Sequence, residues 1–161
     1  MRAVPAVVAV ALTAVLGACG DSGGLKVDEV EEAVIGRATE AVPLTSRALG
    51  ARKVEATSQW QSCMAISWRY EAFAEMTAPA GDPTEQLDSV RSALLDAGYA
   101  DATQADGHVT AARDDVSVDV QRSPARGERT WTVTVRSRCA DYDGDDLDRV
   151  EDDGPTPLKG V

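Results

Sequence analysis

Between Asp82 and Cys139 the hydrophobic period of the chain changes once, from that of a helix to that of a strand, and this order limits what the chain can build. The stretch DPTEQLDSVRSALLDAGY starts with Asp82 as an N-cap, Pro83 in the first helical position and Glu85 three residues after the cap, the pattern of a capping box. Leu87, Val90, Leu94 and Ala97 then fall on one stripe, Gly98 is placed to end the helix in a left-handed cap, and Tyr99 stands just beyond. A helix with one apolar stripe must cover something apolar. The next segments, YADAT, HVTAAR, VSVDVQ and RTWTVTVRSRC, are separated by the turn compositions QADG, DD and RSPARGE, and predict an antiparallel meander. Val116, Val118 and Val120 alternate with Ser117 and Asp119, and Trp131, Val133 and Val135 with Thr130, Thr132 and Thr134, so one face is buried and the other wet. The parity of Val109 and Ala111 against Val116 places a tight turn or a bulge at Asp114 and Asp115.

Upstream, WQSCMAISWRYEAFAEMTA fits two periods. Trp60, Met64, Trp68, Ala72 and Met76 make a helical stripe, whereas Met64, Ile66, Trp68, Tyr70 and Ala72 make a strand face. The aromatic content favours a strand from Ile66 to Met76, with its rings in the core rather than in a ligand platform. Earlier still, VDEVEEAVIGRATEAV carries Val27, Val30, Val34, Ala38 and Ala41 at helical spacing, with Asp28 and Glu31 at its start. It predicts a short amphipathic helix, weakened at Gly36 and ended by Pro43. From Leu44 to Ser58 no clean period appears, and TSRALGARKV offers at most a further helical turn. The expected fold is α+β and two-layered: an antiparallel sheet in strand–helix–meander order, one main helix on one face, and a short N-terminal helix. Its expected parts are an N-terminal helical segment at 27–58, a compact domain at 59–139 and an acidic, disordered tail at 140–161.

The start of the chain has the three parts of an export signal: the basic Arg2, an apolar run from Ala3 to Val15, and small residues leading to a cysteine in Leu16, Gly17, Ala18, Cys19. The run is too short for a membrane span, which needs about 20 apolar residues. The Leu-Gly-Ala-Cys ending resembles the lipobox of bacterial lipoproteins. That resemblance implies a signal peptide at 1–18, a diacylglyceryl thioether on Cys19 as the mature N-terminus, a spacer at 19–26, and a chain held on the extracytoplasmic face of the cell membrane. With Cys19 taken by lipid, Cys63 and Cys139 remain as an even pair in an oxidising compartment and are expected to form a disulfide. A second resemblance covers Trp60 to Cys139: the W-x-x-C of Trp60 to Cys63, a capped helix ending in Gly98-Tyr99 and a final strand ending at Cys139 are similar to small actinobacterial lipoproteins. It carries no catalytic residues to transfer.

Charge and motifs bound the chemistry. The 161 residues hold 27 acids against 16 lysines and arginines, a net −11, and loss of residues 1–18 removes one cation, Arg2. Nucleic acid is therefore not an expected partner. The chain has no P-loop, no G-x-G-x-x-G, no H-E-x-x-H and no G-x-S-x-G, and its one histidine, His108, falls in a turn composition. The expectation is a non-enzymatic interaction module of the cell envelope with no cofactor, tethered to the membrane and contacting an envelope protein. The alternative is a small-ligand or calcium-binding envelope protein. DYDGDDLDRVED, with Asp141, Asp143 and Asp145 alternating and Asp152 in twelfth place, is similar to an EF-hand loop, although Asp146 replaces the glycine such a loop requires.

Overall fold

The computed structural model describes residues 25–161; the predicted signal peptide, Cys19 and residues 20–24 of the spacer lie outside the described residues. The elements are α1 (Val27–Leu49), β1 (Arg52–Met64), β2 (Ser67–Thr77), α2 (Pro83–Asp96), β3 (Ala100–Asp101), β4 (His108–Arg113), β5 (Val116–Arg122), β6 (Thr130–Ser137), β7 (Ala140–Asp141), α3 (Gly144–Asp152) and β8 (Thr156–Pro157). The strands form one antiparallel sheet in the order β3-β4-β5-β6-β2-β1-β8, with β7 also paired to β2. This is the α+β, helix-on-sheet architecture expected.

The meander follows the period-2 pattern. Val109, Ala111, Val116, Val118, Val120, Trp131, Val133 and Val135 are all buried on one face. Asp114 and Asp115 make the two-residue turn between β4 and β5, whose register pairs Arg113 with Val116, and Asp114 takes a left-handed φ of 55°. In α2, Asp82 Oδ1 accepts from the Thr84 and Glu85 N–H groups at 2.9 and 3.1 Å, and Leu87, Val90 and Leu94 face the sheet. Gly98, at φ 87°, turns the chain out of the helix so that the Tyr99 N–H reaches the Leu94 carbonyl at 3.1 Å.

Four expectations are corrected. α1 is long, not short: it runs 23 residues, straight past Pro43. Proline inside a helix loses one hydrogen bond and crowds the preceding turn, at about 3 kcal/mol. Here Val42 and Leu49, on either side of it, are buried, and that burial offsets the break. Second, of TSRALGARKV only Thr45 to Leu49 makes the further helical turn, and from Arg52 the chain is a 13-residue strand. It lies near the sheet edge, covered on its far side only by the two-residue β8, and its inward positions Val54, Ala56, Ser58 and Trp60 include the small Ala56 and the polar Ser58, so its alternation is faint in the sequence.

Third, the acidic tail is folded. Arg138 and Cys139 separate β6 from β7, and the one-residue register shift between Glu71–Arg136 and Trp68–Ala140 lets both strands pair the same edge of β2. Tyr142 and Val150 are buried, and β8 closes onto β1. The reason is that two well-placed apolar side chains suffice when a docking surface already exists. Tyr142 packs edge-on against Trp60 at 5.3 Å between ring centroids, while Arg149 pairs with Asp28 at 2.7 Å and Glu31 at 2.9 Å, neutralising part of the acidic helix. Fourth, residues 27–58 and 140–161 are not appendages of a 59–139 domain, because α1, the sheet and the tail share one hydrophobic cluster.

Asp82→Ala should lower stability by about 1 kcal/mol through loss of the cap, read as a shift of the denaturation midpoint. Truncation after Cys139 should cost more, about 3 to 5 kcal/mol, since it strips the Tyr142 and Val150 side chains from the core and wets Trp60. An unchanged melting temperature would show that the tail does not hold the fold.

Candidate functional site

The described cysteines meet. Cys63, at the register shift near the end of β1, and Cys139, at the shift between β6 and β7, are joined in a disulfide with Cα atoms 6.4 Å apart. Both flanking strands pair β2, so the bridge spans that strand close to the β1–β2 turn.

The four carboxylates singled out for calcium do not meet. Asp141 lies in β7, Asp143 is the residue before α3, and Asp145 and Asp152 sit in the first and last turns of that helix, about 10 Å apart along its axis. A calcium loop wraps its ligands around the ion. Here the segment is wound into a helix, and among the described residues no three His, Cys, Asp or Glu side chains gather as a metal site.

Several shallow clefts mark the surface of the described residues. Beside α3, a cleft of about 520 Å³ is lined by Glu31, Ser58, Tyr70, Arg149, Asp153 and Lys159, among others. On its floor the Tyr70 hydroxyl donates to Ser58 Oγ at 2.9 Å. Its Arg149 is already committed to Asp28 and Glu31. Between α2 and the β3–β4 loop, a cleft of about 740 Å³ gathers Asp88, Arg91, Asp106, His108 and Arg122. Arg91 there pairs with Asp88 and Asp101, Arg122 bonds the Glu128 carbonyl, and Thr103 Oγ1 is held by the Thr110 backbone. A third cleft, about 430 Å³, sets Arg69, Arg136 and Arg138 against Asp114 and Asp115.

The fourth cleft differs in charge. It measures about 450 Å³, at the end of the molecule where α1 passes into β1, and is lined by Gly50, Arg52, Lys53, Thr77, Ala78, Pro79 and Arg129. Three cations face it and no carboxylate lines it, in a chain with 11 more acids than bases. None of the three makes an ion pair among the described residues, whereas Arg37, Arg69, Arg91, Arg113, Arg126 and Arg149 all do. Lys53 is held at a left-handed φ of 55°, at a register shift in β1 between Arg52 and Glu55. Sequence reasoning missed this cluster because Arg129 is more than 70 residues from the other two.

At the opposite end, the β1–β2 turn exposes Met64 and Ile66. Just beneath it, Trp68 Nε1 and Tyr142 Oη are buried without a hydrogen-bond partner. Among the described residues no helix is long and apolar enough to cross a membrane. Comparison with family profiles, with curated proteins and with solved structures finds no match.

A charged network fixes α1 to the end of α2. Glu40 of α1 receives Arg113 and Arg37, Arg113 Nη1 donates to the Ala97 carbonyl at 2.7 Å, and its guanidinium lies 4.4 Å over the Tyr99 ring. Burial, reinforced by the Glu40 charge and opposed by Arg113, pushes the Tyr99 hydroxyl up to about 12. Tyr70 is also raised, first by burial and then by Glu31 and Asp153 against the opposing Ser58 bond; Tyr142 is raised by burial and by Asp146. These are all three tyrosines of the chain. A raised acid pKa means the folded state keeps its proton longer, so the stabilisation is full below pH 10 and is lost as pH rises towards about 12. Absorbance of tyrosinate at pH 10 should therefore be lower in the native protein than in the denatured chain, which is half ionised there. Half-ionisation of the native protein at pH 10 would contradict this packing.

Proposed function

We propose that this protein is a lipid-anchored module on the extracytoplasmic face of a cell membrane, which works by contacting an envelope partner rather than by catalysis. Support for the anchor comes from the sequence: an apolar run ending in Leu16, Gly17, Ala18, Cys19, with α1 starting only eight residues later at Val27. The Cys63–Cys139 disulfide suits an oxidising compartment. The contact reading rests on one observation, the cleft in which Arg52, Lys53 and Arg129 stand without an acid. Three like charges repel one another, and a partner presenting carboxylates or phosphates relieves that repulsion. The partner we assign is an acidic surface on an envelope protein. The small-ligand alternative would fall on the cleft beside α3, where Arg149 is already neutralised and only Lys159 is left as a cation.

The reading is checked in native membranes. The mature chain should begin at Cys19 with the mass of a diacylglyceryl group, and cross-linking should join it to a defined neighbour. Replacing Arg52, Lys53 and Arg129 together by serine should remove that cross-link and leave the anchor in place. A soluble mature chain with a free Cys19 thiol would sink the anchor. A cross-link indifferent to the triple substitution would sink the contact surface.

A further inference from the structure

The turn between β1 and β2 presents Met64, Ala65 and Ile66 to solvent, with Met64 72% and Ile66 54% exposed, more than any other large apolar side chain among the described residues. An apolar pair this exposed marks a contact when it is held rigidly. The turn is held on three sides. Cys63, adjacent to Met64, is bridged to Cys139; the Ile66 carbonyl accepts the Tyr142 N–H at 3.1 Å; and the Met64 carbonyl accepts the Ser62 hydroxyl at 3.1 Å. These last two bonds matter for the kind of partner. Lipid offers backbone groups nothing to bond with, and two of the three carbonyls of Met64 to Ile66 are already satisfied from within, which lowers the cost of taking the turn out of water.

Position supplies the second argument. α1 and β1 are joined through Gly50 and Ala51 and run in opposite directions, and Trp60 Nε1 donates to Glu31 Oε1 at 2.9 Å. The start of α1 therefore lies beside the far end of β1, next to the Met64–Ile66 turn. Cys19 precedes Val27 by eight residues, which reach at most about 27 Å when fully extended. A tether at Cys19 keeps this end of the molecule against the surface that holds it.

We infer that Met64, Ala65 and Ile66 seat in the outer boundary of the bilayer to which Cys19 tethers the chain, so that the domain stands on the membrane turn-first with the Arg52–Lys53–Arg129 cleft pointing away. The inference takes only the tether from the anchor reading above. It makes the β1–β2 turn a second membrane contact, which fixes orientation where the lipid alone would fix only distance.

The native methionines test it. After residue 18 the chain has two, Met64, exposed, and Met76, 1% exposed in the core. The chain from Cys19 to Val161, with its disulfide formed, is coupled through the Cys19 thiol to a maleimide lipid in phosphatidylcholine vesicles and treated with a water-soluble oxidant, chloramine-T. The reference is the same chain with Cys19 capped and the same vesicles present. Sulfoxide formation at Met64 should slow several-fold on tethering, while Met76 reacts slowly in both samples. Equal Met64 rates would overturn the inference, as would protection found in native membranes but not on bare vesicles, which would give the turn to a protein partner. Because the maleimide supplies the tether, a native chain without lipid on Cys19 would reject the anchor and leave this result to be judged on its own.

Discussion

Covering one face of the sheet is the constraint from which the rest of the molecule follows. Tyr70, Ala72, Ala74, Met76, Val109, Val118, Val120, Trp131, Val133 and Val135 all present apolar side chains to the same side, and none is more than 6% exposed. No single helix is wide enough to cover seven strands in a row. α1 lies over β6, β2 and β5, and α2 over β4, β3 and β5, which leaves the aromatic end around Trp60 and Tyr70 for the tail. The Glu40–Arg113–Tyr99 network is the seam between the two helical covers. There Arg113 also caps the Ala97 carbonyl, which α2 leaves unsatisfied at its end.

β2 is the strand that everything else flanks. β1 and β6 pair its two edges, β7 continues the β6 side, and the Cys63–Cys139 bridge spans it. A covalent loop of 76 residues stabilises by roughly 4 to 5 kcal/mol in the chain-entropy picture, chiefly by constraining the unfolded chain. The bridge is possible because each cysteine sits at a register shift, where the strand bends out of regular pairing. It therefore also decides the shape of the turn that carries Met64 and Ile66.

What was legible in the sequence was what depends on local chemistry. The cap at Asp82, the stripe of α2, the alternation of β5 and β6 and the Asp114–Asp115 turn are each written in a few neighbouring residues. The stripe of α1 was legible too, but its length was not, because Pro43 is a local stop signal overruled by the burial of Val42 and Leu49 on either side of it. β1 escaped for the converse reason: its inward positions Val54, Ala56, Ser58 and Trp60 do alternate with Glu55, Thr57, Gln59 and Gln61, but a small and a polar residue stand among the four, so the pattern is faint. The tail shows how composition can mislead. Its aspartates read as disorder, yet folding there turns on Tyr142, Val150 and Arg149 finding partners at Trp60, Asp28 and Glu31, more than 80 residues earlier in the chain. The basic cleft was illegible on the same ground, since it is assembled from both sides of the sheet's far end.

Charge has a direction in this molecule. The acids of α3 and Asp143 follow β7, which pairs the start of β2, so they gather towards the turn end, whereas Arg52, Lys53 and Arg129 gather at the other. α1 separates the two ends by about 34 Å, roughly four Debye lengths at physiological ionic strength. At that distance the negative charge at the turn end is screened from the cationic cleft, so an acidic group approaching the cleft does not feel the repulsion that the formal −11 suggests. The overall charge therefore does not describe the local field at the cleft, which Arg52, Lys53 and Arg129 set.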